Sequence, residues 1–263
     1  MTEMTIEEIK QEETKLLVWF AEYCDKNNLK YSLAYGTFLG AVRHHGFIPW
    51  DDDVDVMMPR EDYNQFLKCF SEIDSGWVRL VHPTTDRQYP YPFIKLVSKR
   101  TYLEEKRLKP EYQVDGMGIW VDIFPVDYVH SKKDFLRIVS DCKLLGNMIY
   151  QRTPKHWIKR VTQPLWESVL SAVRPNVPAL VERIDKEAQA DSSDKMGISI
   201  CGEGLKEIFS ASVWNELEEY SFEGYRLKGL KCYDMYLSQL YGDYMQLPPE
   251  DERPTHNFEA WWR

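Results

Sequence analysis

The 263-residue sequence has no apolar run approaching the roughly 20 residues needed to span a bilayer. Its opening, MTEMTIEEIKQEETK, is acidic and polar, unlike the basic-then-apolar order of a secretory leader. Cysteine is sparse: Cys24, Cys69, Cys142, Cys201 and Cys232 form no close pair, which argues against a disulfide framework or a zinc knuckle and predicts a reducing, cytoplasmic setting. Positive charge is in deficit, 33 basic against 42 acidic residues, so a net charge of −9 argues against nucleic-acid or general anionic-membrane binding. There is no Gly/Ser-rich linker, internal repeat or low-complexity segment, and the length predicts one domain or one domain with an appendage. What the chain does have is apolar mass, 43% hydrophobic and 14% aromatic residues, enough for a sizeable core.

The densest chemistry lies in YGTFLGAVRHHGFIPWDDDVDVMMPREDY, residues 35–63. Asp51, Asp52, Asp53 and Asp55 crowd into five positions and run into Val54, Val56 and Met57. Carboxylates so close repel one another, and apolar neighbours raise the cost of keeping them charged, so such a cluster implies a cation. In an extended run Asp51, Asp53 and Asp55 would share one face and Asp52 the other, making Asp52 secondary. Hard oxygen ligands at the end of a buried strand suit Mg²⁺ or Mn²⁺ better than Zn²⁺. Upstream, Gly36 and Thr37 open a short helix that ends near Arg43, and free N–H groups at a helix start favour an anion. One segment therefore offers a phosphate cradle, a basic residue and a metal site. The bland readings are a solvated acidic loop and an ordinary Gly-Thr turn.

GTFLGAVRHHGFIPWDDDVDV resembles the signature of the LicD family, bacterial phosphocholine transferases related to the fukutin group of ribitol-phosphate transferases. That resemblance implies a nucleotidyltransferase-like fold, in which a Gly-Ser or Gly-Thr turn precedes Asp-x-Asp on one strand and a third aspartate on a later strand. Here the matching third carboxylate is Asp122, in the VDIFPVD segment, and the tail YGDYMQLPPEDERPTHNFEAWWR is also similar to the family. Asp122 sits inside the apolar run GIWVDIF, and a buried unpaired carboxylate is costly, so it needs either a metal or structural hydrogen bonds. Asp127 reads as a cap or turn residue.

The fold class expected is α/β (α+β): a nucleotidyltransferase-like mixed β-sheet with flanking helices and an appended helical region. Apolar periodicity predicts a helix over 4–28, a strand over 31–35, a short helix over 37–44, and a helix from Pro59 to about residue 72. Alternation predicts strands over 77–82, 92–98 and 118–124. Helices follow over 132–151, 154–172 and 177–190, then short strands within 196–228 and a helix over 231–241. These group as a catalytic core (1–130), a helical insertion (131–195), and strands plus a C-terminal helix completing the core (196–263). Within RTPKHWIKRVTQPLW, 152–166, Lys155, Lys159 and Arg160 interleave with Trp157, Ile158, Val161 and Trp166. That pattern fits either a bundle helix with a charged outer face or a peripheral contact at the inner face of the plasma membrane.

The residues predict metal-dependent chemistry at a phosphate, and the resemblance implies that this chemistry is a transfer. Asp51, Asp53, Asp55 and Asp122 would hold two divalent ions about 3.5–4 Å apart. Gly36 and Thr37 would hold a donor diphosphate. Arg43 and Lys95, the latter a lysine among apolar strand residues that also matches the family pattern, would stabilise leaving-group charge. Asp122 is also the carboxylate to take the acceptor proton. The resemblance implies CDP-choline as donor, CMP as leaving group, and as acceptor a sugar hydroxyl on a lipid-linked teichoic acid, capsule or lipopolysaccharide precursor. Ribitol-phosphate or glycerol-phosphate transfer, nucleotidyl transfer releasing pyrophosphate, and a non-catalytic scaffold are the alternatives. Choline would need a cation–π box, for which Tyr35, Trp50, Tyr89, Tyr91, Trp120, Trp261 and Trp262 are available.

Overall fold

A computed structural model describes residues 1–70, 76–151, 176–200, 202, 204–249, 253 and 259–263. In chain order the elements are β1 (Thr2–Glu3), α1 (Ile6–Lys26), β2 (Ser32–Leu33), α2 (Tyr35–Arg43), β3 (Asp55–Pro59) and α3 (Arg60–Phe70). Next come β4 (Val78–Val81), β5 (Ile94–Ser98), β6 (Thr101–Leu103) and β7 (Trp120–Tyr128), then α4 (Lys132–Ile149) and α5 (Val177–Ala188). The last are β8 (Lys195–Gly197), β9 (Ile208–Ser210), β10 (Leu217–Phe222), β11 (Tyr225–Leu230), α6 (Tyr233–Tyr241) and β12 (Ala260–Trp262). The predicted helix over 154–172 and the basic stretch 152–166 lie outside the described residues.

The main sheet is seven-stranded, running β2-β3-β7-β5-β4, with β8 joined to β7 and β9 to β8. Only the β3–β7 pair is parallel; the sheet is mixed, as the sequence predicts. Helix α1 starts in a capping box: the Thr5 hydroxyl accepts the Glu8 N–H at 3.2 Å, and the Glu8 carboxylate accepts the Thr5 N–H at 2.8 Å. Its buried stripe, Ile9, Leu16, Leu17, Phe20 and Cys24, packs on the sheet beside α3. Phe20 meets Phe66 edge-on at 5.3 Å, so α1 and α3 form one layer on one face. Two acids, Glu12 and Glu13, lie inside that apolar stripe and are buried.

Three boundaries differ from expectation. The strand after α1 is confined to Ser32–Leu33 because helix α2 already begins at Tyr35. Pro59 closes β3 rather than opening α3, which starts at Arg60. The chain ends meet in a small three-stranded sheet, β1-β12-β6, that the sequence did not signal. Strands of two and three residues carry too little alternation to be read. Among the described residues no helix is long and apolar enough to cross a membrane.

Candidate active site

The sheet register builds the centre of the site. Asp55 on β3 lies directly beside Asp122 on β7, and Asp122 lies opposite Lys95 on β5. Registered neighbours project to the same face, so three charged side chains from three strands stand in one row. The row faces away from the α1–α3 layer, because Ser98, three residues from Lys95 and hence on the other face, meets Glu12 of α1 at 2.6 Å. Lys95 donates to both Asp122 oxygens, at 2.8 and 3.0 Å, and is itself almost fully buried. The partner that a buried Asp122 requires is thus present within the protein.

The charges do not balance along the row. Burial pushes the Asp55 carboxyl well above the ordinary aspartate range, and the negative charges of Asp53, Asp122 and Asp51 push it further, against a smaller pull from Lys95. Burial also raises Asp122, opposed by the Lys95 charge and hydrogen bonds, with Glu105 adding to the rise. Below the row, Glu13 of α1 is 2% exposed, and its Oε2 has no hydrogen-bond partner among the described residues. Burial first, then Asp53, Asp52 and Asp51, hold the Glu13 carboxyl well above its usual value. Sequence reasoning missed this residue. The signal was there: Glu13 falls four residues after Ile9 and four before Leu17, inside the apolar stripe.

The aspartate run is not a continuous strand. β3 begins only at Asp55, yet burial alternates along the run as the period-two expectation has it, with Asp52, Val54 and Val56 buried and Asp51, Asp53 and Asp55 partly exposed. Asp51 lines one cavity, and Asp53 lines a second one together with Asp122 and Lys95. Asp52, expected to be secondary, is buried. What pins Asp55 is α2: its N–H donates to the Thr37 hydroxyl at 2.8 Å, and its carbonyl accepts the Ala34 N–H at 3.0 Å. Tyr35, between them, has φ +44°, a left-handed conformation that a bulky residue adopts only when its surroundings force it. Its buried hydroxyl has no partner among the described residues. Gly36 leaves room for the acid beside it: a Cβ there would sit 2.5 Å from Asp51 Oδ2 and displace that carboxylate.

The first cavity, about 560 Å³, lies between the signature and the C-terminal segment, with Gly36, Arg43, Trp50 and Asp51 on one wall and Tyr244 and Leu247 on the other. Arg43 reaches across it, donating from Nη1 to the Tyr244 carbonyl at 2.6 Å and from Nε to His44 Nε2 at 2.9 Å. Arg43 and Lys95, paired in the prediction, therefore serve different cavities. Trp261 and Trp262 line neither; Trp261 packs against Tyr102 at 5.8 Å, and the Trp262 indole donates to Glu8 at 3.2 Å.

One sequence assignment needs revision. Asp127 is no cap: it is buried within β7 and takes a two-pronged contact from Arg60, Nε to Oδ1 at 2.6 Å and Nη2 to Oδ2 at 2.9 Å. A third guanidinium nitrogen meets Asp185 at 2.7 Å. Among the described residues, no group of three or more His, Cys, Asp or Glu side chains is arranged to hold an ion as it stands. The donor chemistry nevertheless fits a hard divalent cation, since Asp53, Asp122 and Asp51 each raise the cost of ionising Asp55.

Comparison with known proteins is consistent with this layout. Residues 28–179 match the model of the family described as LicD/FKTN/FKRP, nucleotidyltransferase domain, a span that contains the whole row. The chain is 26% identical over 269 residues, covering 99% of each sequence, to a lipopolysaccharide cholinephosphotransferase, LicD, of Haemophilus influenzae. Two uncharacterised proteins match shorter stretches. One, from Rickettsia typhi, is 43% identical over 61 residues, 23% of this chain and 20% of that one. The other, from Rickettsia prowazekii, is 56% identical over 55 residues, 20% of this chain and 21% of that one. With the nucleotidyltransferase-domain match spanning more than half its length, the chain belongs to the LicD/FKTN/FKRP family and is an enzyme of the transferase class.

Proposed function

We propose that this enzyme transfers phosphocholine from CDP-choline to a sugar hydroxyl of a lipid-linked cell-surface glycan precursor, with lipopolysaccharide the acceptor class the H. influenzae relative suggests, and releases CMP. The observation that carries the reading is the Asp55–Asp122–Lys95 row, set beside one cavity through Asp53 and Asp122 and tied by α2 to a second, larger one. Phosphoryl transfer asks little covalent chemistry of a protein and much positioning and charge stabilisation. The donor fits the larger cavity, where Arg43 and the first-turn N–H groups of α2 favour a diphosphate. The acceptor oxygen forms its bond to the choline-bearing phosphorus as the bond from that phosphorus to the CMP oxygen breaks. Asp122, raised by burial and steered by Lys95, takes the hydroxyl proton.

Asp53, Asp55 and Asp122, with Asp51 at the neighbouring cavity, are the residues that would hold Mg²⁺ or Mn²⁺. When bound, such an ion supplies neutralisation of diphosphate charge and a lowered pKa for the acceptor hydroxyl. We place the reaction on the cytoplasmic side of the membrane, where nucleotide-activated donors and reduced cysteines coexist.

The test is product analysis with purified protein, CDP-choline, Mg²⁺ or Mn²⁺, and a lipid-linked glycan extract. CMP release that EDTA abolishes is the expected result. Release of CMP from CDP-ribitol or CDP-glycerol but not CDP-choline would replace the alcohol. Pyrophosphate from a nucleoside triphosphate, with no CMP, would replace the reaction by nucleotidyl transfer.

A further inference from the structure

Lys95 does more than pair with Asp122. Its ammonium lies 3.9 Å from the centre of the Trp120 ring, 5.3 Å from that of Tyr91 and 5.6 Å from that of Phe93. Three ring faces and a carboxylate around one ammonium form a cation cage, and here the protein's own lysine occupies it. The rings are held from behind: Tyr91 donates its hydroxyl to Glu105, and Phe93 packs on Phe124 at 4.7 Å. They continue as the wall of the second cavity, about 200 Å³, which Tyr150 extends. That volume is below the roughly 300 Å³ at which pockets for drug-sized ligands begin, so it suits a head group and not a nucleotide.

The lining charge selects the kind of head group. Asp53, Glu104, Glu105, Asp122 and Glu259 outnumber Lys95, Lys106 and Arg107, and Lys106 is already engaged by Glu259 at 2.5 Å. A neutral polyol gains nothing from ring faces and excess carboxylate; a cation gains from both. The larger cavity carries Arg43 and the start of α2 on its signature wall, beside Asp51.

We propose that the cavity walled by Tyr91, Phe93 and Trp120 is the subsite for the quaternary ammonium of the transferred alcohol, so that the donor lies with its nucleotide in the larger cavity and its choline in the smaller. This rests on the reading that the donor carries choline. The rings around Lys95 then serve two cations at once, the lysine beside Asp122 and the choline further out.

The test is binding of phosphocholine, phosphoethanolamine and glycerol 3-phosphate to the metal-free full-length chain by titration calorimetry, with wild type, Tyr91→Leu, Phe93→Leu and Tyr91→Phe. Phosphocholine is expected to bind about tenfold more tightly than glycerol 3-phosphate, a preference that both leucine variants lose and Tyr91→Phe keeps. As a measurement independent of variant folding, phosphocholine should shift the Trp120 indole N–H resonance of wild-type protein. Equal binding of phosphocholine and glycerol 3-phosphate by wild type would overturn the proposal. So would a Trp120 resonance that phosphocholine leaves unmoved. The proposed function fails separately: if CDP-choline yields CMP while the leucine variants bind phosphocholine as wild type does, the reaction stands and only this placement falls.

Discussion

Asp122 and Asp127 are the same residue type on the same strand, five positions apart and therefore on opposite faces of β7. Both are drawn upward in pKa by burial and both are held by a cation. The difference is in what surrounds each pair. Asp127 meets a guanidinium whose fork matches it and whose remaining nitrogen is taken by Asp185 of α5. Asp122 meets a lysine, a flexible point charge, with Asp55 abreast and a cavity in front. A closed ion pair is architecture, whereas a carboxylate row whose charge exceeds its counter-charge is poised to receive something positive.

The sharpest way to break the contrast is to neutralise one acid on each face. On the site face, Asp55→Asn preserves shape and removes a carboxylate that burial and three neighbouring acids already oppose. Turnover, measured as CMP release, is expected to fall at least ~10⁴-fold, about 5.5 kcal/mol of barrier. The melting temperature of the same variant should hold or rise, since repulsion has been relieved. Near-wild-type turnover would remove Asp55 from the chemistry.

On the other face the signature inverts. Asp127→Ala leaves the Arg60 guanidinium buried with only Asp185 to meet it, and urea unfolding should register a loss of about 3–5 kcal/mol. Specific activity per folded molecule should stay near wild type. Replacing both partners, Arg60→Met with Asp127→Leu, should recover most of the stability, because no buried charge is then stranded.

Why the sequence separates these two aspartates imperfectly follows from where their partners lie. Asp122 announces itself by sitting in an unbroken apolar run, and its need for a partner is met by Lys95, a residue the strand pattern also singles out. Asp127 follows a proline and reads as a turn, while the residue that explains it, Arg60, is 67 positions upstream at a helix start. Long-range pairs of this kind leave no local trace. The aspartate run shows the converse limit: composition reveals an acidic cluster, but only the backbone shows that it becomes a strand at Asp55 and splits Asp51 from Asp53 between two cavities. Glu13 was legible from helical phase alone. The described helices and the longer strands of the main sheet, β4, β5 and β7, were legible for the ordinary reason that their apolar periods are long; the sheet joining both chain ends has none to read.

The smallest effect sharpens the comparison through pH. His82 lies near the Arg60 cluster, facing Tyr63 at 6.2 Å, with Arg60 and Asp185 the charges that act on it. Its Nδ1 meets the Thr84 hydroxyl at 2.8 Å, while Nε2 is buried with no partner among the described residues, so burial brings its pKa down to about 4, with Asp185 raising and Arg60 lowering it. The unfolded chain protonates this imidazole near 6.5, so between pH 6.5 and 4 the unfolded state holds more protons than the folded one. Stability from a neutral His82 is therefore complete above pH 6.5 and is lost as pH falls, to a total of about 3 kcal/mol near pH 4. His82→Gln should flatten that limb in urea titrations at successive pH values, measured as the difference from wild type so that the carboxylates cancel. The same substitution should leave CMP release at pH 7.5 unchanged, because His82 belongs to the architectural face. A loss of turnover with the acid limb intact would mean that the two faces of β7 are coupled.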